Sequence, residues 1–102
     1  MAAPRVAVFM SEGIIADATP EQVAGIHGVL QASARRAVAK GRPVRYLRGV
    51  YLPGEKQLIC LFEAADAGLV RRVYDNAQLP FVRITTALEF PVNQGSDVEA
   101  RP

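Results

Sequence analysis

The sequence predicts an α+β fold of the ferredoxin-like type, a four-stranded antiparallel sheet with two helices on one face. Three observations carry that expectation. The β-rich and helix-period segments follow one another in the order β-α-β-β-α-β. The chain has 102 residues, which suits one domain with one modest core. Right-handed crossovers then leave few ways to arrange four strands and two helices.

The first strand is expected over 5–10, "RVAVFM", and "SEGIIADA" at 11–18 reads as a loop. Ile14 and Ile15 are unusually apolar for a loop, so they either tuck under the fold or sit over a pocket. "TPEQVAGIHGVLQASARRAVAK" opens with strong helix-start chemistry: Thr19 as N-cap, Pro20 at the first helical position and Gln22 three residues after Thr19. Val23, Ile26, Leu30, Ala34, Ala37 and Val38 form its apolar stripe. Gly41 and Pro43 stop it. A hairpin follows, with strands at 44–52 and 57–64 about the turn "PGEK". Asp66 caps a second helix, "AGLVRRVYDNAQ", whose stripe is Leu69, Val70, Val73 and Ala77 and which Pro80 ends. The fourth strand is expected over 81–90. Residues 1–90 then form the domain, and 91–102 a polar, loose tail.

Composition excludes several classes. Half of the residues are hydrophobic and 22% are charged, as in a folded globule. The net charge of +2 is too small to point to nucleic acid, although ten of the twelve basic residues are Arg. The RNA-recognition fold shares this topology, but "KQLICLFE" offers only Phe62 for stacking. A copper-chaperone reading lacks its Cys-x-x-Cys. The one cysteine, Cys60, allows no intrachain disulfide and reads as a buried small hydrophobe. There is no secretory signal and no membrane-length apolar run, so a cytoplasmic location is the default expectation.

"LICLF" in the third strand is apolar on both parities. Helices cover one face, so the other calls for a second subunit, most simply a symmetric sheet-on-sheet homodimer of the dimeric α+β barrel type. Counting back from a Leu52–Gln57 pair puts Tyr46 opposite Glu63 and Arg48 opposite Leu61. One face would carry Tyr46, Arg48, Val50, Ile59, Leu61 and Glu63, and the helix-facing set would hold Leu47, Gly49, Tyr51, Leu58, Cys60 and Phe62, with Gly49 suited to close helix approach. Arg48 and Glu63, if buried, need each other or a ligand. They form either a structural ion pair or the polar wall of a small-molecule pocket.

The hairpin, with "VRRVYDNAQLPFVRITTAL", resembles a family of small bacterial ferredoxin-like proteins catalogued as a domain of unknown function. The residues that carry the resemblance are Tyr46, Leu47, Pro53, Gly54, Cys60, Phe62, Glu63, Ala64, Leu79 and Pro80, within residues 6–90. The resemblance implies a dimeric ferredoxin-like fold, and at least one relative is described as nickel-binding. The chain departs from many relatives in a longer loop after the first strand. It also lacks the His they carry before "LP", where Val73 and Tyr74 lie.

Two functional readings follow. One is a protein that binds a small ligand or a metal ion, nickel being the ion the resemblance implies. Its candidate ligand-binding residues are Tyr46, Arg48, Glu63, Tyr74 and Arg83, and its candidate metal ligand is His27. A twofold axis could join two copies of His27 with Glu12 or Asp17. The other reading, by analogy of fold alone, is a small-molecule enzyme (isomerase, cyclase or cofactor-independent monooxygenase) with His27 as general base. Arg35, Arg36, Arg71 and Arg72 read as a solvated helix surface.

Overall fold

The structure is a computed structural model that describes residues 7–79 and 83–90. The elements are β1 (Ala7–Ile14), α1 (Pro20–Ala39), β2 (Val44–Leu52), β3 (Gln57–Ala64), α2 (Ala67–Ala77) and β4 (Arg83–Ala87). The sheet order is β2-β3-β1-β4, with every neighbouring pair antiparallel. This is the expected ferredoxin-like fold. Pro80, residues 5–6, 81–82 and the tail 91–102 lie outside the described residues.

Local chemistry explains the helix ends. Thr19 accepts from the Gln22 backbone N–H while the Gln22 side chain accepts from the Thr19 N–H, a closed capping box, and Pro20 follows. Gly41, at φ +81, adopts the left-handed conformation expected of a helix stop. Asp66 caps α2 by accepting from Leu69 N. Gln78, left-handed at φ 58, closes α2, and the Leu79 N–H returns to Tyr74 O.

The core lies between the helices and the sheet face built from Phe9, Ser11, Leu58, Cys60, Phe62 and Ala64. Leu30, Val70 and Val73 meet it from the helices with no exposed surface. Each such side chain is worth roughly 1.5–3 kcal/mol of burial. Ser33 ties the helices together by donating to Val73 O at 2.8 Å. Both stripes shift slightly from expectation. Val38 is exposed at the end of α1, and in α2 Tyr74 is buried while Ala77 is only half-buried.

Three expectations need correction. First, β1 runs on to Ile14, four residues beyond its expected end. It is a central strand, and Ser11–Ile14 stay paired with β3 through Ser11↔Cys60 and Ile14↔Gln57. Ser11 is tolerated there because its hydroxyl meets the Tyr74 hydroxyl at 2.5 Å. The loop before α1 is therefore only residues 15–19. Second, β4 ends at Ala87, not at 90. Beyond it Glu89 leaves the ladder to pair with Arg48 on β2.

Third, the hairpin register slips. Leu52 faces Gln57 and Arg48 faces Leu61 as expected, but a β-bulge lies between Tyr46 and Arg48. Tyr46 therefore faces Phe62, and Arg45, not Tyr46, faces Glu63. The extra residue, Leu47, moves everything before it to the opposite face. Tyr46 thus belongs to the helix side, among Cys60 and Phe62, and not with Arg48 and Glu63.

Candidate functional site

The N-terminal half of α1 stands off the β2–β3 hairpin and leaves a cleft of about 560 Å³. Pro20, Val23 and Ala24 line it from the helix, Tyr51, Pro53 and Leu58 from the hairpin. The polar groups on it are few: His27, Asp17 and Lys56 join the Tyr51 phenol. Mostly apolar walls with a few placed polar groups are the usual make-up of a small-ligand site.

His27 is the best-supported of these groups. Its Nδ1 lies 2.8 Å from Tyr46 Oη. Tyr46 in turn donates to Cys60 Sγ at 3.5 Å. A phenol has one proton, and here it points to the sulfur. In that arrangement the oxygen accepts from His27 Nδ1–H, and Nε2 is the ring nitrogen that Tyr46 does not hold. Burial pushes the Tyr46 hydroxyl well above its ordinary titration range, and the bond to Cys60 adds to this, so the phenol keeps its proton. The rings stack in sequence through the core: His27 to Tyr46 at 5.1 Å, Tyr46 to Phe62 at 5.0 Å, and Phe62 edge-on to Tyr74 at 6.0 Å.

Gly49 makes this chain possible. A Cβ at that position would collide with Tyr46 Oη and sit 3.5 Å from His27 Nδ1. The close approach expected at Gly49 is made by the Tyr46 hydroxyl, from its own strand, and by the His27 ring, from α1.

The rim is held by short backbone links. Asp17 and Lys56 both take left-handed backbones, at φ 59 and 54. Ile15 N donates to Lys56 O at 2.7 Å, and Tyr51 Oη donates to Ile15 O at 3.2 Å. Lys56 Nζ lies 3.8 Å from the Asp17 carboxylate, both well exposed. A smaller pocket of about 160 Å³ adjoins, lined by Ile14, Ile15, Ile26 and Tyr74. The two isoleucines of the 11–18 segment thus do border a pocket.

The other sequence candidates scatter. Arg48 and Glu63 lie on the open sheet face and do not pair with each other. Arg48 bonds Glu89 at 2.9 Å with its side chain 64% exposed, and Glu63 pairs with Arg45 at 3.2 Å. The bulge is the reason, since it puts Arg45 across from Glu63. Arg83 lies on β4, 3.5 Å from Glu12 and 3.4 Å from the Thr85 hydroxyl. Tyr74 is core, its hydroxyl on Ser11, and burial again pushes its titration upward. Glu12 belongs to the open face, where Gln57 donates to it at 2.9 Å. It therefore cannot join His27 within one subunit, whereas Asp17 shares the cleft with it. Of the residues singled out, His27 and Tyr46 come together with Asp17 on the same cleft, and Glu12 and Arg83 meet on the open face.

Asp17, Lys56 and Tyr51 were not anticipated as a rim. The signal available was the acidic residue in "IIADA" and the lysine closing "PGEK", two turns that the antiparallel β1–β3 pairing brings side by side.

The residues do not fit a resident nickel ion within one chain. Nickel favours several nitrogen and oxygen donors. Among the described residues no group of three or more His, Cys, Asp or Glu could hold a metal. The Cys60 thiol has no exposed surface. Among the described residues no helix is long and apolar enough to cross a membrane.

Comparison with known proteins gives a family. The model of the family described as nickel responsive protein SCO4226-like matches residues 9–86. Among solved structures, the crystal structure of SCO4226 from Streptomyces coelicolor A3(2) is similar, with 25% sequence identity and a TM-score of 0.63. The match covers 85% of this chain and 99% of that one. No curated protein matches.

Proposed function

Since the chain belongs to the nickel responsive protein SCO4226-like family, we propose that it serves a nickel-related response as a binding module whose site is the His27 cleft. One observation carries this reading: the imidazole is fixed by the Tyr46–Cys60 chain with Nε2 left over, on the wall of a largely apolar cleft of about 560 Å³. A metal- or ligand-binding His is typically oriented in this way, through a hydrogen bond on its other ring nitrogen. A bare nickel ion at His27 is the second reading. The family's description favours it and the donor count opposes it.

The working unit of this proposal is a homodimer joined through the open sheet face. Met10, Ile59 and Leu61 lie half-buried there, between the Arg45–Glu63 and Glu12–Arg83 pairs. An apolar strip with complementary charges at its rim suits a self-complementary interface. The enzyme reading draws no support from the family or from the structural neighbour.

His27 is the only histidine in the chain, so its ring gives one resolved set of NMR signals. The ring should show the Nδ1–H tautomer. Titration with nickel chloride and with a set of small carboxylates should perturb His27, Tyr51 and Lys56 before any other residue. Perturbation centred elsewhere, or unchanged binding in His27→Gln, would sink the cleft as the site.

A further inference from the structure

We propose that the cleft takes a small, uncharged, hydroxyl-bearing apolar compound, a phenol or an alcohol on an apolar ring, whose hydroxyl donates to His27. The inference rests on the cleft being the binding site, and it names the class of ligand that the lining selects.

Charge excludes an ionic ligand as the best fit. Asp17 and Lys56 are the acid and the lysine on the lining, and they stand 3.8 Å apart. Their side chains are 91% and 55% exposed, so solvent screens the pair and little net field reaches the interior. A cation finds one carboxylate there and an anion one lysine, each already matched.

Hydrogen-bond direction narrows the choice further. Tyr51 gives its one hydroxyl proton to Ile15 O at 3.2 Å, so toward a ligand its oxygen accepts. The Tyr46 hydroxyl donates to Cys60 and accepts from His27 Nδ1–H, which makes Nε2 of the neutral ring an acceptor as well. The two uncharged polar side chains of the cleft thus both call for a donor. A carboxylate only accepts. It can meet Lys56 at the rim, but it serves neither inner group. A hydroxyl serves either.

The walls suit the rest of such a molecule. Pro20, Val23, Ala24, Pro53 and Leu58 present carbon to the cleft. Its volume of about 560 Å³ lies within the range of small-ligand sites, roughly 300–1,000 Å³. Leu58 also lines the adjoining pocket with Ile15 and Ile26, so the apolar surface continues past it. Burial of an apolar ring supplies the affinity, and the hydroxyl sets its orientation. Tyr46 is a positioning residue, setting the imidazole tautomer through Nδ1.

The test is a fluorescence titration of the full chain at neutral pH with three probes that share one carbon skeleton: β-naphthol, naphthalene and β-naphthoate. The chain has no tryptophan, so naphthyl emission is read against tyrosine alone. Naphthol should bind about tenfold more tightly than the other two, the worth of one hydrogen bond. It should also move the His27 ring signals in NMR. His27→Leu should erase the preference for naphthol over naphthalene. Tyr46→Phe should cut that preference roughly threefold while leaving naphthalene affinity unchanged, because the ring loses its orienting partner. Ala24→Phe, at an exposed helix position on the lining, should block all three probes and leave the far-UV spectrum as it is. Equal affinity for naphthol and naphthalene would overturn the inference and leave a purely apolar cleft. Tightest binding of naphthoate would overturn it and leave an anion site at Lys56. In both cases the cleft stands as the binding site. Binding of no probe, or binding that Ala24→Phe leaves untouched, would overturn the inference together with the reading beneath it.

Discussion

At the scale of single residues, Tyr46 does the most varied work. Its ring packs between His27 and Phe62, and its hydroxyl joins His27 to Cys60. Removing that hydroxyl leaves Nδ1 without its buried partner, which costs on the order of 1–3 kcal/mol. Tyr46→Phe is therefore expected to lower the urea midpoint at neutral pH. The pH dependence has a definite sign. Burial raises the titration of both Tyr46 and Tyr74 above the ordinary value near 10. Folding thus favours the protonated phenols, and that contribution is complete below pH 10. Above it the unfolded chain ionises while the folded chain does not, so stability falls. Urea midpoints between about pH 8.5 and 11, a range that spans that ordinary value, should decline more steeply in the native sequence than in Tyr46→Phe. Parallel declines would show that Tyr46 is not held protonated.

At the scale of elements, capping and turn chemistry are legible in the sequence. The capping box at Thr19, the stop at Gly41, the Asp66 cap and both hairpin strands appear where their residues predict them. The bulge is not, because register counted back from a turn assumes an unbroken ladder. A trace of it exists in the sequence. The helix-facing residues of β2 are Val44 and Tyr46 before the break and Gly49 and Tyr51 after it, a change from even to odd positions. Tyr46 could be recognised as a site residue, but its partner could not, since the side that it faces depends on that one extra residue. Deletion of Leu47 is expected to restore regular pairing and to keep Tyr46 opposite Phe62 on the helix side, beside His27. NMR contacts between the His27 and Tyr46 rings should survive the deletion, and loss of the contacts would show that the pairing with Phe62 does not aim the tyrosine.

At the scale of the molecule, the apolar double parity of "LICLF" is now resolved on one side. Leu58, Cys60 and Phe62 are buried under the helices, while Ile59 and Leu61 remain half-covered on the open face. Leu88 and Phe90, each 82% exposed, flank Glu89 where it reaches Arg48, and they add to the apolar surface beside that face. If two copies join there, Leu61→Glu should leave the far-UV spectrum unchanged and convert a dimer to a monomer in light scattering. A native chain that is already monomeric at high concentration would refute the sheet-on-sheet assembly. The bulge has a bearing on this as well. β2 is an edge strand, whose outer backbone groups could recruit a strand from another molecule. An extra residue at Leu47, with the exposed cations of Arg45 and Arg48 on either side, interrupts the straight run that such recruitment needs. The same irregularity that aims a tyrosine at a histidine thus guards against open-ended polymerisation along the edge, and leaves the broad face as the surface of the proposed dimer.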